Sequence, residues 1–150
     1  MSVPFGVGDV LAVGTLVWNV YTAYKGAPEQ FRNFSREILP LHVVVRKVEE
    51  QLGISGSVGA ARRPSSGGVA GLSMKDRNDL KILFDNLRSI MEELEELLNK
   101  YQSLASNRRK RIDRLRWGQE DLVGLRGKLQ LNLTVLTSFS TTLAKYVLPL

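Results

Sequence analysis

The chain has 150 residues, 43% hydrophobic and 24% charged, which fits one domain with a real core and excludes both a disordered chain and a multi-span membrane protein. Its net charge of +6 directs the surface toward anionic partners: nucleic acid, acidic lipid headgroups or an acidic protein face. With no cysteine, disulfides, thiolate metal sites and cysteine nucleophiles are excluded together, and a reducing, intracellular setting is expected.

The first predicted element is a helix over roughly residues 8–25. Val10, Val13, Val17, Val20 and Tyr24 follow alternating steps of three and four, flanked by Leu11, Leu16, Trp18 and Tyr21. The remaining face, Ala12, Thr15, Asn19 and Thr22, is small or weakly polar, so the helix is apolar nearly all round: central in a bundle or destined for lipid. Residues 10–24 carry no charge, and Asp9 is the one charged side chain before Lys25. A secretory signal needs a positive start, and a simple span needs about 20 apolar residues. The run meets neither condition and reads as the first helix of the domain.

Gly26 closes that helix and Pro28 sits where a first-turn proline starts the next. The second helix runs to about Leu52 on the stripe Phe31, Phe34, Ile38, Leu41, Val45, Val48 and Leu52, with a kink or short break expected at Pro40. Residues 53–73 hold six glycines and five serines around Arg62, Arg63 and Pro64, the composition of a flexible, disordered insertion. Ser73 then caps a third helix, with Asp76 three residues on as in a capping box. Its stripe is Leu80, Leu83, Leu87, Ile90, Leu94, Leu97, Tyr101 and Leu104, with Glu92, Glu93, Glu95 and Glu96 on the outer face. A basic turn or short helix over 106–117 ends at Trp117. The fourth long helix is predicted from near Gln119, with Glu120 and Asp121 in its first turn where the helix dipole favours them. Its stripe is Leu122, Leu125, Leu129, Asn132, Leu136, Phe139, Leu143 and Tyr146, in which Asn132 is the polar member able to set register.

Strand alternation and hairpin turn pairs are absent from the sequence. The expected fold is all-α: one domain, residues 1–150, folded as an antiparallel four-helix bundle with an additional short helix or basic turn before the last helix and a disordered loop near 53–73. The strict heptads also admit a coiled-coil dimer.

Few residues suit catalysis. His42 is the one histidine and reads as a helix-surface or boundary residue, because Glu-x-x-His and His-x-x-x-His pairings that would hold a metal are missing. The glutamates at 92–96 read as a solvated face. Gly6-Val7-Gly8 has no preceding strand and no following Lys-Ser/Thr, so it is not a phosphate loop. The expectation is an interaction module and not an enzyme, with no catalytic, metal-binding or cofactor-binding residue, no cofactor and no small-molecule substrate. Arg108, Arg109, Lys110, Arg111, Arg114 and Arg116 place six cations in nine residues, opposed by Asp113 alone. Three readings stand beside that of a solvated connection: nucleic acid, which matches no recognition motif and is set aside; an anionic lipid surface, at about 1 kcal/mol per cation; and a partner for the acidic 92–96 face, within the chain or in a second copy.

The order of several short motifs carries a resemblance. Phe5-Gly6-Val7-Gly8-Asp9-Val10 opens the apolar first helix and Gly26-Ala27-Pro28-Glu29-Gln30-Phe31 opens the second. Asp85-Asn86-Leu87 with the Glu-rich third helix, Arg114-Leu115-Arg116-Trp117 and Asp121-Leu122 follow. Over nearly its whole length the chain resembles the N-terminal HeLo and HeLo-like helical domains of fungal NLR-like (STAND) and ankyrin-repeat proteins. Those domains are similar in fold to the four-helix bundle of mixed-lineage kinase-like proteins and to plant immune-receptor cell-death domains. The resemblance implies a cytoplasmic signalling domain that homo-oligomerises on activation and relocates to membrane. In the death-inducing members the N-terminal helix then inserts. On that reading Val10, Leu11, Val13, Leu16, Val17, Trp18, Val20 and Tyr21 are the membrane-insertion candidates, and the six cations at 108–116 the anionic-lipid or partner site. The alternative is a non-lytic homo-oligomerisation or docking module.

Overall fold

The computed structural model describes residues 6–53, 72–103 and 110–147, and among them every regular element is a helix. These are α1 (Val7–Lys25), α2 (Glu29–Gln51), α3 (Met74–Ser103) and α4 (Lys110–Val147). The expected loop lies, over 54–71, outside the described residues.

The ends of the helices follow their sequence signals. Gly6 N–H donates to the Asp9 carboxylate at 2.8 Å, which satisfies one of the orphan donors of the α1 N-terminus. Pro28 sits one position before α2, and its carbonyl accepts from Phe31 and Arg32 N–H, each at 2.9 Å. α2 ends where Gly53 takes φ 72°, a left-handed conformation glycine adopts without steric cost. Ser73 Oγ accepts from Asp76 N–H at 3.1 Å and caps α3 as expected.

Two expectations are corrected. Of the kink or short break expected at Pro40, the break does not occur, since the packing of the buried stripe of α2 on both sides outweighs one lost backbone hydrogen bond. Of the basic segment expected over 106–117, residues 106–109 lie outside the described residues, and residues 110–117 are not a separate turn or short helix but the opening turns of α4, which starts at Lys110. Only Gly118 stood between the two predicted pieces, and a helix-interior glycine costs about 1 kcal/mol, too little to interrupt so long a helix.

The helices alternate in direction along the chain, but neighbours in space are not always neighbours in sequence. α1 packs against α2 and α3, and α4 against α2 and α3, leaving α2 and α3 diagonal. Two antiparallel hairpins therefore stand side by side. Glu37 meets Arg126 and Gln51 meets Ser140, so α2 and α4 run parallel, and α1 runs parallel to α3 by the same logic.

One apolar cluster fills the space between all four helices. The α1 and α2 stripes are buried in full, from Val10 to Tyr24 and from Phe31 to Leu52. On α3 the expected Leu83 is only partly buried, while Phe84, Met91 and Leu98 are buried beside the remaining stripe members, so the packed face is broader than a two-residue seam. On α4 every apolar stripe member from Leu122 to Leu143 is buried. Asn132 is not a register device: its Nδ2 donates to the Lys128 carbonyl of its own helix at 3.0 Å. Leu104 and the side chain of Tyr146 lie outside the described residues.

Burial decides what substitutions cost. Leu41→Ala, at a fully buried position, is expected to lower unfolding stability by about 2–5 kcal/mol in denaturant titration, whereas Val43→Ala two residues away, on the exposed side, is expected to change it by less than about 0.5 kcal/mol.

Candidate functional site

The first helix divides the insertion candidates into three groups. Val10, Val13, Val17 and Val20 are fully buried against the bundle. Leu16 and Tyr21 are partly buried and pack on the core. Leu11 and Trp18 are exposed, at 38% and 45%, along with Val7. The eight residues therefore do not form one apolar face in this arrangement; half of them hold the bundle together.

α1 is secured mainly by apolar burial. All four ion pairs resolved between described side chains lie on α2, α3 and α4: Arg126–Glu37, Lys128–Glu93, Lys81–Asp85 and Lys100–Glu96. The charges at its two ends are engaged locally, Asp9 in its own N-cap and Lys25 over the Tyr21 ring at 5.9 Å. Its one direct side-chain hydrogen bond to α3 comes from Tyr24, whose hydroxyl donates to the Leu94 carbonyl at 2.6 Å. Burial pushes the Tyr24 phenol well above its ordinary pKa, so it remains a donor at any physiological pH. Around it, Phe31 and Phe34 pack edge-on and tilted, and Tyr101 closes on Phe31 at 4.5 Å between ring centroids.

The seam between α1 and α2 holds two features that periodicity did not reveal. Trp18 lies over His42, ring centroids 4.7 Å apart, and also meets Tyr21 at 5.4 Å. Nδ1 of His42 is buried and has no hydrogen-bond partner among the described residues. Desolvation, with Arg46 adding to it, lowers the His42 pKa. One turn back along α1 and two turns on along α2, the Glu49 carboxylate rests on Gly14, where only hydrogen leaves room for it. Burial is the first cause raising the Glu49 pKa; Arg46 opposes it and Glu50 adds to it. The sequence signal available was the i, i+7 pair His42 and Glu49 on one side of α2, but nothing in it specified which residues of α1 they would meet.

Of the basic cluster, Lys110, Arg111, Arg114 and Arg116 belong to the first turns of α4, with side chains that are not described, while Arg108 and Arg109 lie outside the described residues. No grouping of three or more His, Asp or Glu suited to a metal occurs among the described residues. Two shallow grooves run between α3 and α4: one of about 330 Å³ between Glu93, Glu96, Lys100, Asp121 and Lys128, and one of about 460 Å³ beside Ile82, Val135 and Phe139. Among the described residues no helix is long and apolar enough to cross a membrane. No family model, curated protein or solved structure matches this chain.

Two predictions follow from the seam. A methyl at Gly14 displaces only the mobile end of Glu49 and adds helix propensity, so Gly14→Ala is expected to hold stability level or raise it by up to about 1 kcal/mol in chemical denaturation. A loss larger than that would mean the Glu49 carboxylate is pinned. The second concerns pH. The folded state resists protonating His42, so the stability it contributes is complete above the ordinary value of 6.5 and is lost as pH falls below it. Glu49 acts oppositely: its stability is lost as pH rises from 4.5 through its raised folded value. On acidification below pH 6.5 only the histidine contribution is removed by His42→Gln, so the melting temperature of wild type is expected to drop more, or rise less, than that of the variant.

Proposed function

We propose that this chain is a membrane-directed effector bundle of the HeLo-like kind, in which α1 leaves its seat between α2 and α3 and enters an anionic membrane as copies assemble, triggering regulated cell death. The observation that carries the reading is the way α1 is held. It has no charged residue between Asp9 and Lys25, its end charges are engaged within itself, and its hold on the other helices is apolar burial plus the Tyr24–Leu94 hydrogen bond. Apolar burial is non-directional, so a lipid phase replaces it without any ion pair being broken. The basic residues Arg108, Arg109, Lys110, Arg111, Arg114 and Arg116 supply attraction to acidic headgroups.

A second reading, a non-lytic oligomerisation or docking module, is favoured by two facts. Val10, Val13, Val17 and Val20 are core residues, and no described helix is long and apolar enough to span a bilayer.

Because the chain contains no cysteine, a Trp18→Cys/His42→Cys pair bridged by a short bis-maleimide will fasten α1 to α2 at one defined place. The unbridged protein is expected to release dye from vesicles containing phosphatidylserine, and the bridged form to release at least several-fold less. Equal release from both, or none from either, rejects the insertion reading. A stable oligomer by light scattering that leaves vesicles intact supports the docking module.

A further inference from the structure

Helix α2 carries a second stripe, half a turn from the buried one. Arg32, Arg36, Leu39, Val43 and Arg46 follow the same three-and-four spacing as the core residues, Lys47 lies four residues after Val43 on the same face, and all six are exposed. Two observations separate this face from an ordinary solvated one. At its centre are two branched aliphatic side chains in water, Leu39 at 39% and Val43 at 59% exposure. Around them are four cations that form no ion pair among the described residues, although Lys81, Lys100, Arg126 and Lys128 elsewhere are each matched with a carboxylate. Arg46 acts on His42 and Glu49 only through space. Glu29 and Glu50 close the stripe at its two ends.

The bundle topology makes this face directional. α3 is diagonal to α2, so its outward residues, among them Glu92 and Glu96, face away from the cationic stripe. The folded domain is thus polarised, basic along the middle of the outward face of α2 and acidic at Glu92–Glu96 on α3, and a negative surface attracts the first and repels the second. We propose that the outward face of α2 is the surface on which the folded bundle docks to an anionic lipid bilayer, with α2 lying along the membrane plane. A nucleic-acid backbone offers nothing to Leu39 and Val43, whereas the boundary between headgroups and acyl chains accepts aliphatic side chains flanked by arginine and lysine. Trp18 sits beside this face, 45% exposed and next to His42 of α2, where an amphipathic ring suits the interface. Docking in this manner leaves α1 in place and does not depend on its insertion.

Cosedimentation of the full chain with phosphatidylcholine vesicles, with and without phosphatidylserine, tests the surface. Wild type is expected to bind only the anionic vesicles, and added salt to weaken binding. Each neutralised cation is expected to lower partitioning about fivefold, so Arg36→Gln/Arg46→Gln weakens it by about 20- to 30-fold. Leu39→Ser/Val43→Ser also weakens it, while Glu92→Gln/Glu96→Gln does not. All positions are exposed, and circular dichroism checks that the helices persist. Wild-type binding by either α2 variant overturns the proposal, as does equal binding to neutral vesicles. Failure to bind anionic vesicles overturns it too, even if an acidic polypeptide is captured. Loss of binding on neutralising Lys110, Arg111, Arg114 and Arg116, with the α2 variants unaffected, assigns lipid contact to the α4 cluster and sinks this inference while sparing the effector reading. Docking through α2 without dye release has the opposite consequence.

Discussion

Four valines on α1, at positions 10, 13, 17 and 20, are kept from water by α2 and α3, and the arrangement of the other helices depends on that burial. Each contributes about 1.5–3 kcal/mol of transfer free energy, and none brings a directional bond. Position is fixed instead by the aromatic group at the C-terminal end of α1, where Tyr24 donates to the Leu94 carbonyl and packs on Phe31 and Phe34. The valines thus supply adhesion, while one phenol at a helix end sets depth and rotation. A helix held this way resists sliding and resists water, but nothing in its attachment discriminates against another apolar medium.

The polar contacts of α4 work differently. Arg126 reaches Glu37 on α2 at 2.7 Å and Lys128 reaches Glu93 on α3 at 3.4 Å, both exposed pairs worth little individually. Gln51 and Ser140 exchange two hydrogen bonds, Nε2 donating to the Ser140 carbonyl and Ser140 Oγ donating to Oε1. These contacts specify which helices sit beside α4 and in what register, and together they place α2 and α3 on opposite corners. The same placement puts the cationic stripe of α2 and the acidic face of α3 on opposite sides of the molecule. Charge asymmetry at the surface is therefore a consequence of topology, since with α2 and α3 adjacent the two faces would have lain side by side.

Much of this was legible in the sequence because a three-and-four stripe states which side of a helix is buried, and the stripes of α1, α2 and α4 were read almost residue for residue. On α3 a helix packed against two neighbours needs a wider face than one heptad seam, and so Phe84 displaced Leu83 from full burial. The start of α4 was misplaced because a run of like charges resembles a connection, although arginine and lysine are good helix formers. The candidate site was less legible. Periodicity names faces and not their neighbours, so the meetings of Trp18 with His42 and of Glu49 with Gly14 had no signature. The outward stripe of α2 did have one, in the same spacing as its core, but exposure and the absence of ion pairs became visible only in the fold.

The polar groups of α1 constrain how it can enter lipid. Nineteen residues make a helix of about 28 Å, close to the roughly 30 Å hydrocarbon thickness, so length alone does not forbid insertion. Composition is the obstacle. The Thr22 hydroxyl already donates to the Asn19 carbonyl at 3.0 Å and travels with the helix at little cost. Asp9 lies near one end, where a carboxylate costs less than the roughly 2.5–3.5 kcal/mol it incurs at the bilayer centre. Asn19 remains, with an amide that α1 itself does not satisfy, on the face made of Ala12, Thr15 and Thr22. Small residues there allow close approach of a second helix, and an asparagine amide can both donate and accept. On the proposed reading, entry of α1 into lipid requires pairing that face between copies, which would join membrane entry to oligomerisation in a single physical requirement.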